Sequence, residues 1–119
     1  MNVTENFSVE EFRCKDGCGL YNMKPELLGR LQQARTLAGI PFAIASGSRC
    51  SVHNRAVGGK TNSAHLSGLA VDIVAIQSRT RFIVFRALTL AGFERIGVGH
   101  DFIHADVDLL KPYPAIWLY

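Results

Sequence analysis

The segment Leu69–Ala75 limits most strongly how this chain can fold. Its residues are apolar except for one carboxylate, Asp72, and such a run is typical of a strand buried in a sheet. A carboxylate in these surroundings is costly unless it is hydrogen-bonded, paired with a cation or bound to a metal. The fold must therefore bring partners to Asp72 from other parts of the chain.

Two histidines can serve as these partners. His65 precedes Asp72, and Gly68 gives the intervening loop the freedom to bring both side chains to one ion. Further along, the alternating apolar pattern of Phe102–Val107 predicts another strand, with His104 on its polar face. We therefore expect two imidazoles and one carboxylate to meet.

This set of side chains favours a catalytic zinc site. Zinc used in catalysis takes three nitrogen or oxygen ligands and keeps a fourth position for water, and His65, Asp72 and His104 would fill the three places. The chemistry also needs a base, for which Asp101 is the leading candidate. Histidine and aspartate also suit manganese or iron, so these metals remain alternatives to zinc.

These residues belong to a set of four motifs that covers residues 46–106. The motifs are Ser46-Gly47-Ser48-Arg49, His53-Asn54-Arg55-Ala56-Val57-Gly58-Gly59, Ser63-x-His65-x-x-Gly68-x-Ala70-x-Asp72, and Asp101-x-x-His104 with Asp106 beyond it. In this order they resemble the zinc D-Ala-D-Ala carboxypeptidase and L-alanyl-D-glutamate endopeptidase family, which shares its fold with the hedgehog signalling domain. The resemblance implies an α+β, hedgehog/DD-peptidase-like fold, with an antiparallel sheet that carries zinc and helices that flank it.

The resemblance also implies roles for individual residues. It assigns His65, Asp72 and His104 as the zinc ligands. It makes Asp101 the catalytic base and Arg49 the residue that helps to bind and polarise the substrate. A guanidinium suits this role because it offers a planar fork of donors to a carboxylate or a developing oxyanion.

Four more residues are expected to support the site. Ser63 and Asp106 are predicted to orient the zinc ligands. His100 could donate a hydrogen bond to the transition state. His53 is expected to orient the loop of Arg49 through a hydrogen bond.

The function implied is that of a monomeric, zinc-dependent peptidase that hydrolyses an amide bond in peptidoglycan stem peptides, of the DD-carboxypeptidase or endopeptidase type. Cell wall lysis or remodelling is the expected purpose. The alternative is a non-catalytic, zinc-containing module of the same fold that binds the cell wall or another protein. Because a degenerate site would be expected to lose Asp101 or Arg49, the presence of both favours the enzyme.

Composition restricts the other possibilities. The 119 residues, 48% hydrophobic and 19% charged, predict one globular domain over 1–119, too short to include a separate wall-binding module. The net charge of +3 is scattered, whereas a nucleic-acid binder would show a denser basic patch. No membrane span or secretory signal is visible. We therefore expect a protein made in the cytoplasm that reaches the wall after release or in a phage particle.

The three cysteines are expected to be reduced thiols. Cys14 and Cys18 lie close together and Cys50 stands apart, and an odd count leaves at least one thiol unpaired. A second metal site at Cys14 and Cys18 would need two more ligands. The sequence therefore favours a simple turn there.

Periodicity and capping residues predict the regular elements. The predicted helices are Ser8–Phe12, Pro25–Ala38 and Ser78–Ala91. The predicted strands are Phe42–Ala45, Leu69–Ala75, Glu94–Val98 and Phe102–Val107. The aromatic residues that follow, Tyr113, Trp117 and Tyr119, are expected to pack over the sheet.

Overall fold

A computed structural model describes all residues from Met1 to Tyr119. The α-helices are α1 (Val9–Phe12), α2 (Pro25–Ala38), α3 (Ser51–Ala56) and α4 (Ser78–Leu90), and a 3-10 helix spans Ala64–Ser67. The strands are β1 (Asn2–Thr4), β2 (Phe7–Ser8), β3 (Ile44–Ser46), β4 (Ala70–Val74), β5 (Arg95–Val98), β6 (Phe102–Asp106) and β7 (Ala115–Leu118). None of the helices combines the length and apolar composition needed to cross a lipid bilayer.

The two long helices form where local sequence signals predict them. Helix α2 begins with Pro25, whose fixed φ suits the first helical turn, and it ends before Gly39, which adopts the left-handed conformation. Its predicted bounds are confirmed, and α4 ends one residue earlier than predicted. Both helices bury an apolar face, so tertiary packing supports what the capping residues begin.

A five-stranded sheet with the order β3-β4-β6-β5-β7 forms the centre of the molecule. Neighbouring strands are antiparallel except for β5 and β7, which run parallel. The predicted α+β architecture is confirmed. Strand β7 was not predicted as a strand, because its short segment between prolines and the terminal aromatic residues gives a weak strand signal.

The two faces of the sheet have different surroundings. One face supplies Val71, Ile73, Ile96, Ile103 and Ala105 to the hydrophobic core, where they pack with the buried faces of α2 and α4. Alternation along the strands sends the intervening residues to the other face. Every residue that the sequence predicted as a zinc ligand on a strand lies on this second face.

One row of side chains crosses the second face from edge to edge. Its members, directly opposite one another on successive strands, are Ser46, Asp72, His104, Gly97 and Trp117. Because residues in such a row are close neighbours, the register of the sheet alone places a carboxylate beside an imidazole.

Gly97 is the member of this row that makes room for aromatic rings. A Cβ atom at this position would lie 2.5 Å from Nε1 of Trp117 and 2.7 Å from a ring carbon of Tyr119. Without that atom, the ring of Trp117 packs in a tilted arrangement against His104, with the two ring centroids 5.5 Å apart. Trp117 and Tyr119 thus pack over the sheet as expected, whereas Tyr113 is 49% exposed.

Replacing Gly97 with alanine should therefore destabilise the protein. Displacing packed side chains to accommodate one methyl group costs about 1–3 kcal/mol, which exceeds the roughly 0.5–1 kcal/mol that alanine gains over glycine in backbone entropy. Thermal denaturation should show a lower midpoint, and the fluorescence of Trp117, the single tryptophan, should change. Gly29→Ala is the matched control, because nothing lies within 4 Å of a Cβ there; equal midpoints for the two variants would contradict this account.

Candidate metal centre

Three side chains converge on the second face of the sheet. Nδ1 of His104 lies 2.9 Å from Oδ1 of Asp72, and Nε2 of His65 lies 3.3 Å from the same oxygen. One potential ligand atom from each residue lies within 4.8 Å of the other two. The three residues predicted as ligands are therefore brought together, and we call them the His-Asp-His group.

The 3-10 helix and the turn after it position His65. Ser63 caps this helix, and its hydroxyl accepts a hydrogen bond from the backbone N–H of His65 at 3.2 Å. Gly68 ends the helix in the left-handed conformation, and a Cβ there would overlap the backbone oxygen of Asn22. The imidazole is fixed from its other side, since Nδ1 lies 2.9 Å from the carbonyl oxygen of Gly47.

A buried carboxylate fixes the other imidazole. Nε2 of His104 lies 2.7 Å from Oδ2 of Asp106, two positions along β6. Oδ1 of Asp106 in turn accepts a hydrogen bond from Nε of Arg95 at 2.7 Å. The predicted orienting position of Asp106 thus matches the structure, whereas Arg95 was not anticipated from the sequence.

These contacts leave one nitrogen of each imidazole directed toward Asp72. Nε2 of His65 and Nδ1 of His104 face the carboxylate, while the opposite nitrogens would donate to Gly47 and Asp106. Metal-bound histidines characteristically donate their second N–H to a carbonyl or a carboxylate. Two nitrogens and one carboxylate oxygen are a donor set that zinc prefers. The His-Asp-His group therefore fits a zinc ion.

The charges within the group stabilise one another. Burial alone would raise the pKa of Asp72, but hydrogen bonds with His104 and His65 outweigh burial and hold that pKa well below its ordinary value. Burial alone would lower the pKa of His104, but hydrogen bonds with Asp106 and Asp72 raise it. A metal ion at this group must displace the proton of His104, so metal binding becomes weaker as the pH falls.

Arg49 lies beside the group and is held in place by neutral side chains. Its Nη2 lies 3.6 Å from Oδ2 of Asp72 and donates a hydrogen bond to Oγ of Ser46 at 3.1 Å, while Nη1 donates to Oδ1 of Asn54 at 3.0 Å. Asn54 thus restrains the side chain of Arg49. His53 was predicted to orient the same loop through a hydrogen bond. His53 contributes its backbone N–H, which donates to the sulfur of Cys50.

Asp101 and His100 are not among the residues whose ligand atoms converge in the group. Both are exposed and lie in the turn between β5 and β6. Asp101 precedes His104 by three positions and lies outside strand β6, which begins at Phe102. The alternation of side chains along β6 therefore does not determine the direction of its carboxylate.

Aromatic side chains form a wall on the other side of His104. Besides Trp117, the ring of Tyr119 has its centroid 6.2 Å from that of His104 and 5.1 Å from that of Phe102. Burial raises the pKa of the Tyr119 hydroxyl, and the nearby carboxylates of Asp72 and Asp106 add to the effect. The two-residue spacing of Trp117 and Tyr119 is typical of side chains on one face of a strand, but it covers too few residues to predict β7.

Loss of the carboxylate behind His104 should weaken zinc binding. In the variant Asp106→Asn, a neutral amide replaces the carboxylate that is hydrogen-bonded to His104. Loss of such a partner typically lowers metal affinity by about 10–100-fold. Competition with a chromophoric chelator measures the change. The control is Asp108→Asn, because that carboxylate pairs with Lys111 and not with His104; equal affinities for both variants would show that Asp106 does not support the metal.

Comparison with known proteins and protein families relates the chain to one family. No curated protein matches the chain significantly. The family model described as Peptidase M15 matches residues 4–106, a range that includes Arg49 and the whole His-Asp-His group. The chain therefore belongs to the Peptidase M15 family of metallopeptidases.

Proposed function

We propose that the chain is a zinc-dependent peptidase that hydrolyses an amide bond in peptidoglycan stem peptides, as a DD-carboxypeptidase or an endopeptidase. The observation that carries this proposal is the His-Asp-His group, in which the second nitrogen of each imidazole is already hydrogen-bonded to a carbonyl or carboxylate oxygen. Membership of the Peptidase M15 family supports the same reaction class. When bound, zinc acts as a Lewis acid that polarises the amide carbonyl and activates water.

Arg49 is proposed to bind the anionic part of the substrate. Its guanidinium is almost buried, with 11% of the side chain exposed, and two neutral acceptors hold its orientation. Its Nε atom is buried and has no hydrogen-bond partner, so a negatively charged substrate group would be bound through the part of the guanidinium that stays exposed. A stem-peptide carboxylate, or the oxyanion that develops during amide hydrolysis, has the required chemistry.

His65 and His104 are proposed to keep a fixed orientation throughout the reaction. Both rings are buried, at 2% and 5% exposure, and each is hydrogen-bonded on the side away from Asp72. A preorganised centre does not have to reorient as charge develops, and this lowers the barrier to reaction. Arg95 serves the same purpose indirectly by holding Asp106.

Asp101 remains the proposed proton acceptor. The other two carboxylates of the region are engaged, because Asp72 faces the two imidazoles and Asp106 is held by Arg95. The exposed side chain of Asp101 takes part in none of the protein's ion pairs. An exposed carboxylate that has no ion-pair partner is available to accept a proton.

Digestion of purified peptidoglycan tests the proposed reaction. Zinc-loaded protein should release fragments that chelated protein does not, and added zinc should restore the release. Mass spectrometry distinguishes the two types of enzyme: free D-alanine indicates a carboxypeptidase, and new internal amino termini indicate an endopeptidase. An intact wall that nevertheless retains the zinc-loaded protein would contradict the proposal and favour the binding module.

The variant Asp101→Asn tests the proposed base. If the carboxylate accepts the proton, turnover should fall by about 10²–10⁴-fold, the usual contribution of a general base, while the zinc content stays unchanged. Glu94→Gln is the matched control, because Glu94 is also exposed and adjoins the same pair of strands. Turnover in Asp101→Asn equal to that of Glu94→Gln would exclude this role.

A further inference from the structure

Four potential ligands meet at a second place, away from the His-Asp-His group. Cys14, Asp16 and Cys18 come from the turn after α1, and Cys50 comes from the loop before α3. One ligand atom from each residue lies within 4.8 Å of the other three. We call these residues the cysteine cluster. From the sequence, only Cys14 and Cys18 were considered as ligands, and the fold brings Asp16 and Cys50 beside them.

The distances within the cysteine cluster suit a tetrahedral metal site. The sulfur atoms of Cys14 and Cys50 are 3.8 Å apart. Two sulfurs bound tetrahedrally to zinc at the usual distance of about 2.3 Å are separated by about 3.8 Å. Oδ2 of Asp16 lies 3.0 Å from the sulfur of Cys50. The spacing therefore needs only small adjustments to accept an ion.

Backbone amides support these side chains from outside. The N–H of Cys50 donates to the sulfur of Cys14 at 3.4 Å, and the N–H of His53 donates to the sulfur of Cys50 at 3.3 Å. The other oxygen of Asp16, Oδ1, accepts a hydrogen bond from the N–H of Cys18 at 2.9 Å. Hydrogen bonds of this kind orient metal ligands and stabilise the charge of thiolates.

We propose that the cysteine cluster binds a structural zinc ion. Three thiolates and one carboxylate complete a tetrahedral shell, so no position remains for a substrate, and this distinguishes structural from catalytic zinc sites. Thiolates select zinc over the hard cations magnesium, calcium and manganese. A disulfide between Cys14 and Cys50 is the competing arrangement, and it would use only two of the four converging residues.

The proposed ion joins two distant parts of the chain. Cys14 and Cys50 are 36 positions apart in sequence, and Cys50 directly follows Arg49. The same two parts already contact each other through the backbone, where the N–H of Ser48 donates to the carbonyl of Phe12 at 2.8 Å. The ion would therefore fix the loop that carries Arg49. This inference does not depend on whether the protein is a peptidase.

Titration of reduced, metal-free protein with cobalt(II) tests the site. Sulfur-to-cobalt charge transfer produces a near-ultraviolet absorption band that the His-Asp-His group, which has no thiolate, cannot produce. The band should saturate at about one equivalent of sulfur-bound cobalt. It should lose intensity and require more cobalt for saturation in Cys18→Ser, which removes one of the three thiolates at an exposed position where the substitution is compatible with folding.

A pair of exposed acidic residues provides a matched control. Asp16→Asn should weaken cobalt binding at the cysteine cluster by at least about tenfold, because it removes a charged ligand. Glu10→Gln should leave it unchanged, because Glu10 pairs only with Arg13. Absence of the band from the reduced wild-type protein, or an unchanged band in Cys18→Ser, would overturn the proposal. Isolation of the protein with a Cys14–Cys50 disulfide and no metal at the cluster would also overturn it.

Discussion

The carboxylate of Asp72 is the group on which the rest of the structure depends. It lies in an apolar strand, yet Oδ1 meets both imidazoles and Oδ2 faces Arg49. Removing one member of a buried ion pair commonly costs about 3–5 kcal/mol, which is a large part of the stability of a small domain. The 3-10 helix, strand β6 and the loop after β3 must therefore all be in place before Asp72 is satisfied. The site therefore assembles only when the fold forms.

The sequence predicts those parts of the fold that local signals determine. Helix α2 was predicted from end to end because Pro25 and Gly39 mark its termini chemically. Strands β4 and β6 were predicted within about one residue at each end, because their alternation is clear. The short helix α3 was missed, since it is six residues long and is capped by the sulfur of Cys50, an unusual N-cap residue.

Some residues of the candidate site could likewise be predicted from local sequence, and others only from the fold. His65, Asp72 and His104 could be proposed from residue type and spacing, and sheet register then makes two of them direct neighbours. The supporting residues were harder to predict. Asn54 and Arg95 are ordinary in sequence and gain importance only because the fold places them against Arg49 and Asp106. Asp101 was proposed from its interval to His104, and it lies in the turn before β6, outside the regular strand.

Cys50 and Arg49 are neighbours in sequence but face different clusters, and this links the two proposed metal sites physically. An arginine side chain can act as a preorganised donor only if its backbone is also fixed, since each freely rotating bond that must be ordered reduces the gain from binding. Asn54 and Ser46 restrain the guanidinium, and an ion in the cysteine cluster would restrain the backbone one residue away. A structural ion at this point would thus act on the zinc centre without touching the substrate, by keeping the guanidinium of Arg49 beside Asp72.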